Sequence, residues 1–243
     1  MNDALAPAAL APAALAPVAL APAALAALID HTLLRPDATA VEVRQLCEEA
    51  AAFGFHAVCV NPLWVAEARR ALAAAPVAVC SVVAFPFGAT PAANKAAEAA
   101  RAVADGAAEI DMVIAIGALK AGDHDAVRAD IAAVRRAVPA ALLKVIIEAA
   151  LLTEAEKIAA CTLAVAAGAD FVKTSTGYGG GGATIADVAL MRGIVGPRIG
   201  VKASGGIRTA AAANAMIAAG ANRLGVSASL TLIGAASVAA GIH

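Results

Sequence analysis

The chain has 243 residues, a formal net charge of −1 at pH 7 and a hydrophobic fraction of 61%. This length suits one large domain, and α/β barrels commonly reach it as single units. The absence of a basic cluster argues against nucleic acid and anionic membranes as partners. No stretch of membrane-spanning length is free of prolines and charges, so we expect no membrane segment.

The four cysteines show neither a CxxC pair nor metal-like spacing, and the four histidines form no HxH or HExxH pattern. A chain able to bury a full core needs no disulfide framework, so a reducing cytoplasm fits best. We therefore predict a cytoplasmic protein without a metal site or a cofactor. Cys59, two residues before Asn61, is interpreted as a small core residue with no catalytic role.

The N-terminal segment is a repeat of alanine, leucine and proline, with a proline every five residues at Pro7, Pro12, Pro17 and Pro22. Each proline removes a helical hydrogen bond, so an extended and poorly ordered chain is expected. The first three residues carry no positive charge, which argues against a signal peptide. We predict a dispensable leader over residues 1–24 and one domain over residues 25–243.

From residue 25 onward, short apolar runs alternate with segments of helical character. The runs are 27–34, 56–62, 77–86, 109–116, 142–149, 170–176, 199–205 and 222–229. The predicted helices include 63–75, 91–104, 123–137, 153–167, 184–195 and 209–219. Eight apolar strands that alternate with helices predict a parallel sheet covered on both faces, closed as a (β/α)8 TIM barrel. No GxGxxG follows the first strand, which argues against a dinucleotide-binding fold.

Helix boundaries carry local signals. Thr153 with Glu156 has the spacing of a capping box, and Thr209 and the Thr90-Pro91 pair stand at further predicted starts. The phrase AxGA occurs before three of the strands, where its glycine fits the residue just beyond a helix end.

Two lysines each precede a glycine-rich turn: Lys173 in FVKTSTGYGGGG (171–182) and Lys202 in VKASGGIRT (201–209). Burying an unpaired ammonium is costly, and two amines that face one another lower each other's pKa, leaving one neutral and nucleophilic. The pattern therefore predicts an imine-forming enzyme. The ionisable residues within the apolar runs are Asp30, Asp111, Lys144, Glu148, Lys173 and Lys202.

A buried salt-bridge network without chemistry would give the same pattern, because structural ion pairs also shift pKa values. That alternative is weakened by the charge count: three lysines meet so few carboxylates that one amine is expected to lose its proton.

Two glycine/serine loops follow the seventh and eighth strands, SGGIR (204–208) and GVSAS (225–229). Barrels often bind phosphate with these two loops, so we predict a phosphorylated carbonyl substrate. The alternative is that the glycines only make tight turns and that Ser227 or Ser229 caps the last helix. The GYGGGG run (177–182) is compatible with either a mobile lid or a linker.

Together these residues resemble the deoxyribose-phosphate aldolases, class I aldolases with a (β/α)8 barrel. The resemblance runs from about Leu28 to the final helix and is carried by DHTLL, VCVNP, EIDMV, LKVIIE, VKTSTG and VKASGG. It implies reversible cleavage of 2-deoxy-D-ribose 5-phosphate to D-glyceraldehyde 3-phosphate and acetaldehyde without a metal. The expected partners are small phosphosugars and aldehydes, with a homodimer as the candidate assembly.

The resemblance also implies roles for individual residues. Lys173 would form the Schiff base, Lys202 would lower its pKa, and Asp111 would join a proton relay with Lys202 and water. The implied substrate-binding residues are Lys144, Gly177, Gly205, Gly206 and Ser227, with Asp30, Thr32 and Asn61 near the pocket.

Two departures from the family pattern bear on proton transfer and phosphate affinity. The chain ends at Gly241-Ile242-His243 without the tyrosine-bearing tail of some members, and Ala228 replaces one of two adjacent serines. Two other functions remain open: a phosphosugar isomerase or epimerase that uses carboxylates or a metal, and a non-catalytic phosphosugar-binding barrel.

Overall fold

The computed structural model describes residues 19–235. Within them, eight strands form a closed barrel in which each strand is hydrogen-bonded to its neighbours in chain order. The strands are β1 Ile29–Leu33, β2 Ala57–Val60, β3 Ala78–Val83, β4 Glu109–Val113, β5 Leu142–Ile146, β6 Phe171–Lys173, β7 Gly200–Ser204 and β8 Arg223–Val226. Every pairing is parallel, including that of β1 with β8, so the predicted TIM barrel is confirmed.

Helices cover the outside of this barrel. They are α1 Pro22–Ala26, α2 Ala40–Phe53, α3 Val65–Leu72, α4 Ala92–Ala104, α5 Ile116–Lys120, α6 His124–Ala137, α7 Glu154–Ala166, α8 Ile185–Val195, α9 Ala210–Ala218 and α10 Ser229–Leu232. Short 3-10 helices occupy Pro62–Trp64 and Ala149–Leu151. Helices α1, α2 and α5 are not among the helical segments named from the sequence.

The end signals mostly act as predicted. Thr153 and Glu156 form a complete capping box at α7, and Thr209 accepts the Ala212 N–H at α9. The glycines of the AxGA phrases, Gly106, Gly168 and Gly220, have φ of 113°, 88° and 112°, which suits glycine just beyond a helix end. The Thr90-Pro91 signal is the exception, because no side-chain cap is formed at the start of α4.

The strands are shorter than the apolar runs that predict them. The run 77–86 is strand only over Ala78–Val83, because Ala84 takes a positive φ of 53° and starts a turn there. Along β4, Ile110 and Met112 pack into the apolar layer beneath the helices, whereas Asp111 between them lies in a cluster of charged residues. The barrel therefore has an apolar outer layer and a charged interior.

The described part of the chain reaches into the segment predicted as a leader. The Leu20 N–H donates to Asn214 Oδ1 at 2.9 Å, and Leu25 at the end of α1 is buried. The other residues of the proposed leader, 1–18, and the C-terminal segment 236–243 lie outside the described residues, so the domain boundary stays a prediction. Within residues 19–235 no helix combines the length and apolar character needed to cross a membrane.

Candidate active site

Asp111 lies at the centre of the charged interior and is fully buried. Its Oδ2 atom accepts hydrogen bonds from Lys173 Nζ at 2.7 Å and Lys202 Nζ at 2.8 Å, and its Oδ1 atom accepts from Lys144 Nζ at 2.8 Å. The strand register explains this convergence, because Asp111 is paired with Lys144 across β4 and β5, and Lys173 with Lys202 across β6 and β7.

A second set of charges lies beside this centre, and two of its members are residues that the sequence-based prediction missed. Glu109 Oε2 is 2.6 Å from Lys144 Nζ, and its Oε1 is 3.2 Å from Arg223 Nη2. Arg223 and Lys202 both contact Asp30. Strand periodicity could have pointed to Glu109, which is two positions before Asp111 on β4, but Arg223 joins the network through its pairing with Lys202 across β7 and β8.

We name these seven side chains the interior network. It joins four basic and three acidic groups: Lys144, Lys173, Lys202, Arg223, Asp30, Glu109 and Asp111.

Within the interior network the attraction between opposite charges outweighs the effect of burial. Burial alone would raise the pKa of Asp111, but three surrounding lysines hold it well below its usual range. Burial would lower the pKa of Lys202, but Asp111 and Asp30 raise it above its usual value. The pKa of Lys144 is likewise raised. Lys144 lowers the pKa of Lys202, as a facing amine is expected to, but the carboxylates of Asp111 and Asp30 have the larger effect, and the net pKa of Lys202 is raised.

A cavity of about 340 Å³ opens above the network, where β1, β6, β7 and β8 end. Lys173 lines it with 3% of its side chain exposed, whereas Lys144, Lys202 and Asp111 lie beneath with none exposed. Among the network residues, the cavity is thus lined by Lys173 alone.

The two glycine/serine loops form one wall of the cavity. Gly205 and Gly206 have φ of 86° and 78°, and Ser227 lines the same cavity from the loop after β8. A Cβ atom at Gly205 would come within 2.9 Å of the Gly182 Cα, so only glycine lets the loops after β6 and β7 approach so closely. The other lining residues include Thr32, Gly177, Arg35 and Arg208.

Comparison with known proteins agrees with this geometry. The model of the DeoC/LacD family aldolases matches residues 24–237. A deoxyribose-phosphate aldolase of Rhodospirillum rubrum is 60% identical over 214 residues, which cover 88% of this chain and 90% of the relative. This chain belongs to the DeoC/LacD aldolase family.

Solved structures support the same conclusion. A Coccidioides immitis protein with a proposed identity as deoxyribose-phosphate aldolase has a TM-score of 0.87 at 43% identity, over 89% of this chain and 87% of that one. The tetrameric deoxyribose phosphate aldolase of Aeropyrum pernix has a TM-score of 0.82 at 34% identity, over 88% and 91% of the two chains.

The residues implied by the family resemblance fall into two groups. Lys173, Thr32, Gly177, Gly205, Gly206 and Ser227 line the cavity, together with Arg35 and Arg208, which the resemblance did not supply. Lys144 and Asp30 lie beneath it in the interior network, and Asn61 Nδ2 donates to the Leu34 carbonyl at 3.1 Å without lining the cavity. Substrate contact by Lys144, Asp30 and Asn61 stays a prediction.

Among residues 19–235, two clusters of potential metal ligands were not visible in the sequence spacing. Ligand atoms lie within 4.8 Å of one another in Cys59, Cys80 and Asp111, and also in Asp30, Cys80 and Glu109. The three carboxylates already contact ammonium or guanidinium groups of the interior network, so a metal ion would compete with those bound cations. Cys80 itself donates to Asp111 Oδ1 at 3.1 Å.

Proposed function

We propose that this aldolase reversibly cleaves 2-deoxy-D-ribose 5-phosphate to D-glyceraldehyde 3-phosphate and acetaldehyde through a Schiff base at Lys173. The observation that carries the proposal is the position of Lys173. It has the cavity on one side and Asp111 on the other, and Lys144 and Lys202 lack that access.

The proposed reaction begins with attack of the neutral Lys173 amine on the C1 carbonyl of the open-chain sugar. Loss of water gives an iminium, which is a stronger electron acceptor than the carbonyl. The bond between C2 and C3 then breaks, and its electron pair forms the enamine. The C3 hydroxyl loses its proton and becomes the aldehyde of the released product. Protonation of the enamine and hydrolysis release acetaldehyde and restore Lys173.

Asp111 and Lys202 are proposed to handle the protons. Both Lys173 and Lys202 contact the same Asp111 oxygen, so a proton can move between these groups, or through a water, without a large rearrangement. The raised pKa of Lys202, which results from Asp111 and Asp30, keeps this lysine charged. A neighbouring cation favours the neutral form of an amine, which imine formation requires.

The phosphate is proposed to bind at the wall formed by the two glycine/serine loops. Gly205, Gly206 and Ser227 would offer backbone or hydroxyl donors, and Gly177 lies near them. Arg208 lines the same cavity and supplies positive charge, whereas the guanidinium of Arg35, which also lines it, is paired with Asp37 and Glu42. Binding energy at this end would hold the reacting end against Lys173.

The proposal also covers the cofactors, the location and the assembly of the enzyme. We propose that the enzyme needs neither metal nor cofactor, acts in the cytoplasm and forms a homodimer. The Aeropyrum pernix relative is a tetramer, so the assembly should be measured directly by light scattering.

The test is borohydride reduction in the presence of 2-deoxyribose 5-phosphate, followed by peptide mass spectrometry. A reduced adduct on the peptide that contains Lys173, with both products formed after chelation, is expected. If no adduct forms, and if chelation removes an activity that a divalent ion then restores, the isomerase or epimerase alternative is favoured instead. Binding without either product would favour a non-catalytic barrel.

A further inference from the structure

Glu148 lies just beyond β5 in a conformation that is unfavourable for a glutamate. Its φ of 54° and ψ of 62° are in the left-handed region, which residues other than glycine and asparagine rarely adopt. Only 1% of the residue is exposed, and no ion pair is formed with it among residues 19–235. A strained backbone and a buried carboxylate without a cation persist when the surroundings compensate for them, and they are concentrated at functional sites.

The compensation comes from one residue of the loop after β6. Glu148 Oε2 accepts from the Thr176 N–H at 3.2 Å and from the Thr176 hydroxyl, and Oε1 accepts from the same N–H at 3.4 Å. The Thr176 hydroxyl in turn accepts from the Tyr178 N–H at 3.0 Å. One carboxylate therefore fixes both the backbone and the side chain of Thr176, and through it Tyr178.

This loop lies between the proposed nucleophile and the proposed phosphate wall. Thr176, Gly177 and Tyr178 all line the cavity, and Lys173 is three residues before Thr176. Gly177 also lies near Gly205, since a Cβ on Gly177 would be 3.8 Å from the Gly205 Cα. Displacing Thr176 would therefore alter the cavity on its phosphate side.

We infer that Glu148 is a positioning residue that holds the Thr176–Tyr178 loop in the shape that receives the phosphate end of the substrate. The inference rests on the proposed function. Glu148 itself does not line the main cavity, so it acts through Thr176 and not by contact with the substrate.

Gly179 provides an independent way to disturb the same contact. A Cβ at this position would lie 2.7 Å from Glu148 Cδ and 2.8 Å from Oε2, and the three nearest atoms all belong to Glu148. Alanine there would push the carboxylate away from Thr176 while every network residue stays unchanged.

The first experiment compares Glu148→Ala with Glu148→Gln, using 2-deoxyribose 5-phosphate and 2-deoxyribose. Glu148→Ala should lower the preference for the phosphorylated sugar, in kcat/KM, by about tenfold, chiefly through KM, because the loop loses its anchor. Glu148→Gln keeps an oxygen that can accept from Thr176 and should recover most of that preference. Borohydride trapping of acetaldehyde at Lys173, which needs no phosphate contact, should fall far less.

Glu98 offers a matched control, because Glu98 Oε2 accepts the Ala84 N–H at 2.9 Å in the loop after β3. Glu98→Ala also removes a carboxylate that anchors a loop, and it should leave the phosphate preference unchanged. If Glu148→Ala lowers activity toward both sugars equally, or if Glu98→Ala shifts the preference as much, the inference is wrong.

The second experiment keeps the test decisive if Glu148→Ala does not fold. Gly179→Ala alone should reduce the phosphate preference in the same direction, because it displaces the same carboxylate. Added to Glu148→Ala, it should have almost no further effect, because the group that it contacts is gone. A Gly179→Ala variant with normal preference, or fully additive losses in the double variant, would overturn the inference. Failure of the proposed function would differ, since the unsubstituted enzyme would then give neither cleavage nor an adduct.

Discussion

Two groups of buried charges in this molecule respond to burial in opposite ways. In the interior network, the pKa of Asp111 is lowered and that of Lys202 is raised, so both keep their charges. Between helices α4 and α6, Lys95 Nζ contacts Asp130 Oδ2 at 2.7 Å, a distance equal to that between Lys173 and Asp111. There burial dominates, lowering the pKa of Lys95 and raising that of Asp130.

Whether a buried group keeps its charge therefore depends more on the number of opposite charges around it than on the length of a single contact. Asp111 contacts three ammonium groups, whereas Asp130 contacts one together with the Ala115 N–H at 3.1 Å. One partner does not offset the desolvation of a buried ion, and several partners do. The interior network can thus keep charged groups in a buried site beside Lys173, which is what the proposed chemistry requires.

The largest expected effect is on activity, which should depend on the interior network and not on the Lys95–Asp130 pair. Lys173→Ala should abolish the borohydride adduct and lower kcat/KM by roughly ten-thousandfold or more, because the nucleophile is gone. The paired replacement Lys95→Met with Asp130→Leu removes the other buried ion pair and should keep most of the activity. Steady-state cleavage and adduct mass measure both. Trapping that persists in Lys173→Ala would assign the Schiff base to another lysine.

Lys202→Leu should come next in size. It keeps the nucleophile but removes the neighbouring cation and one member of the proton relay, so cleavage should fall on the order of a hundredfold. Imine formation should be slow at neutral pH and recover in part as the pH is raised, because an amine attacks a carbonyl only in its neutral form. Full activity should not return. If Lys202→Leu loses the adduct entirely while Lys173→Ala still traps substrate, the two roles are exchanged.

The third effect concerns stability. Asp111→Asn leaves three lysines facing a neutral amide and should lower the free energy of unfolding by about 3–5 kcal/mol, as loss of one member of a buried ionic group does. Replacing both Lys95 and Asp130 by apolar residues leaves no unpaired charge, but it removes the partners of the Ala115 N–H and the Val113 carbonyl, so it should cost less, about 1–3 kcal/mol. Urea unfolding followed by circular dichroism measures both. A larger loss in the paired replacement would contradict the argument from partner number.

The fold was predictable from the sequence because the strands lie in short, mostly apolar runs that are separated by helix signals of known geometry. All eight strands fall inside the predicted runs, and the capping box at Thr153 is formed as predicted. The lysines of the site were predictable because ammonium groups are rare in such runs. The glycine-lined wall of the cavity followed from glycines at two neighbouring strand ends.

The other features of the site depend on which side chains face one another across the closed barrel. Arg223 and Glu109 stand at the beginnings of their strands, and only the register brings them to Asp30 and Lys144. The raised pKa of Lys202 results from the carboxylates of Asp111 and Asp30, and the linear sequence does not show that these two groups surround the lysine. The left-handed backbone of Glu148 has no sequence signal, because the residue is neither glycine nor asparagine.

The smallest expected effect concerns the pH dependence of stability, in which the two groups should have opposite signs. The lowered pKa of Asp111 contributes stability that is present above its unfolded pKa, about 4, and is lost as the pH falls toward the folded value. The raised pKa of Asp130 contributes stability that is full below its unfolded value and is lost as the pH rises through the folded one. Lys95, the cation that Asp130 faces, stays protonated in the folded and unfolded chain throughout acid pH.

Asp130→Asn should therefore make stability fall more steeply on acidification than it does in the unsubstituted protein, because it removes the one opposing contribution of the pair. Urea unfolding at a series of acid pH values gives the slope, which is read separately from the constant loss that comes from leaving Lys95 without its counter-charge. Asp125→Asn, at an exposed carboxylate on the same helix, controls for the removal of any negative charge. A slope that becomes shallower in Asp130→Asn would mean that the Lys95–Asp130 pair retains its charges as the interior network does, and that one partner is enough.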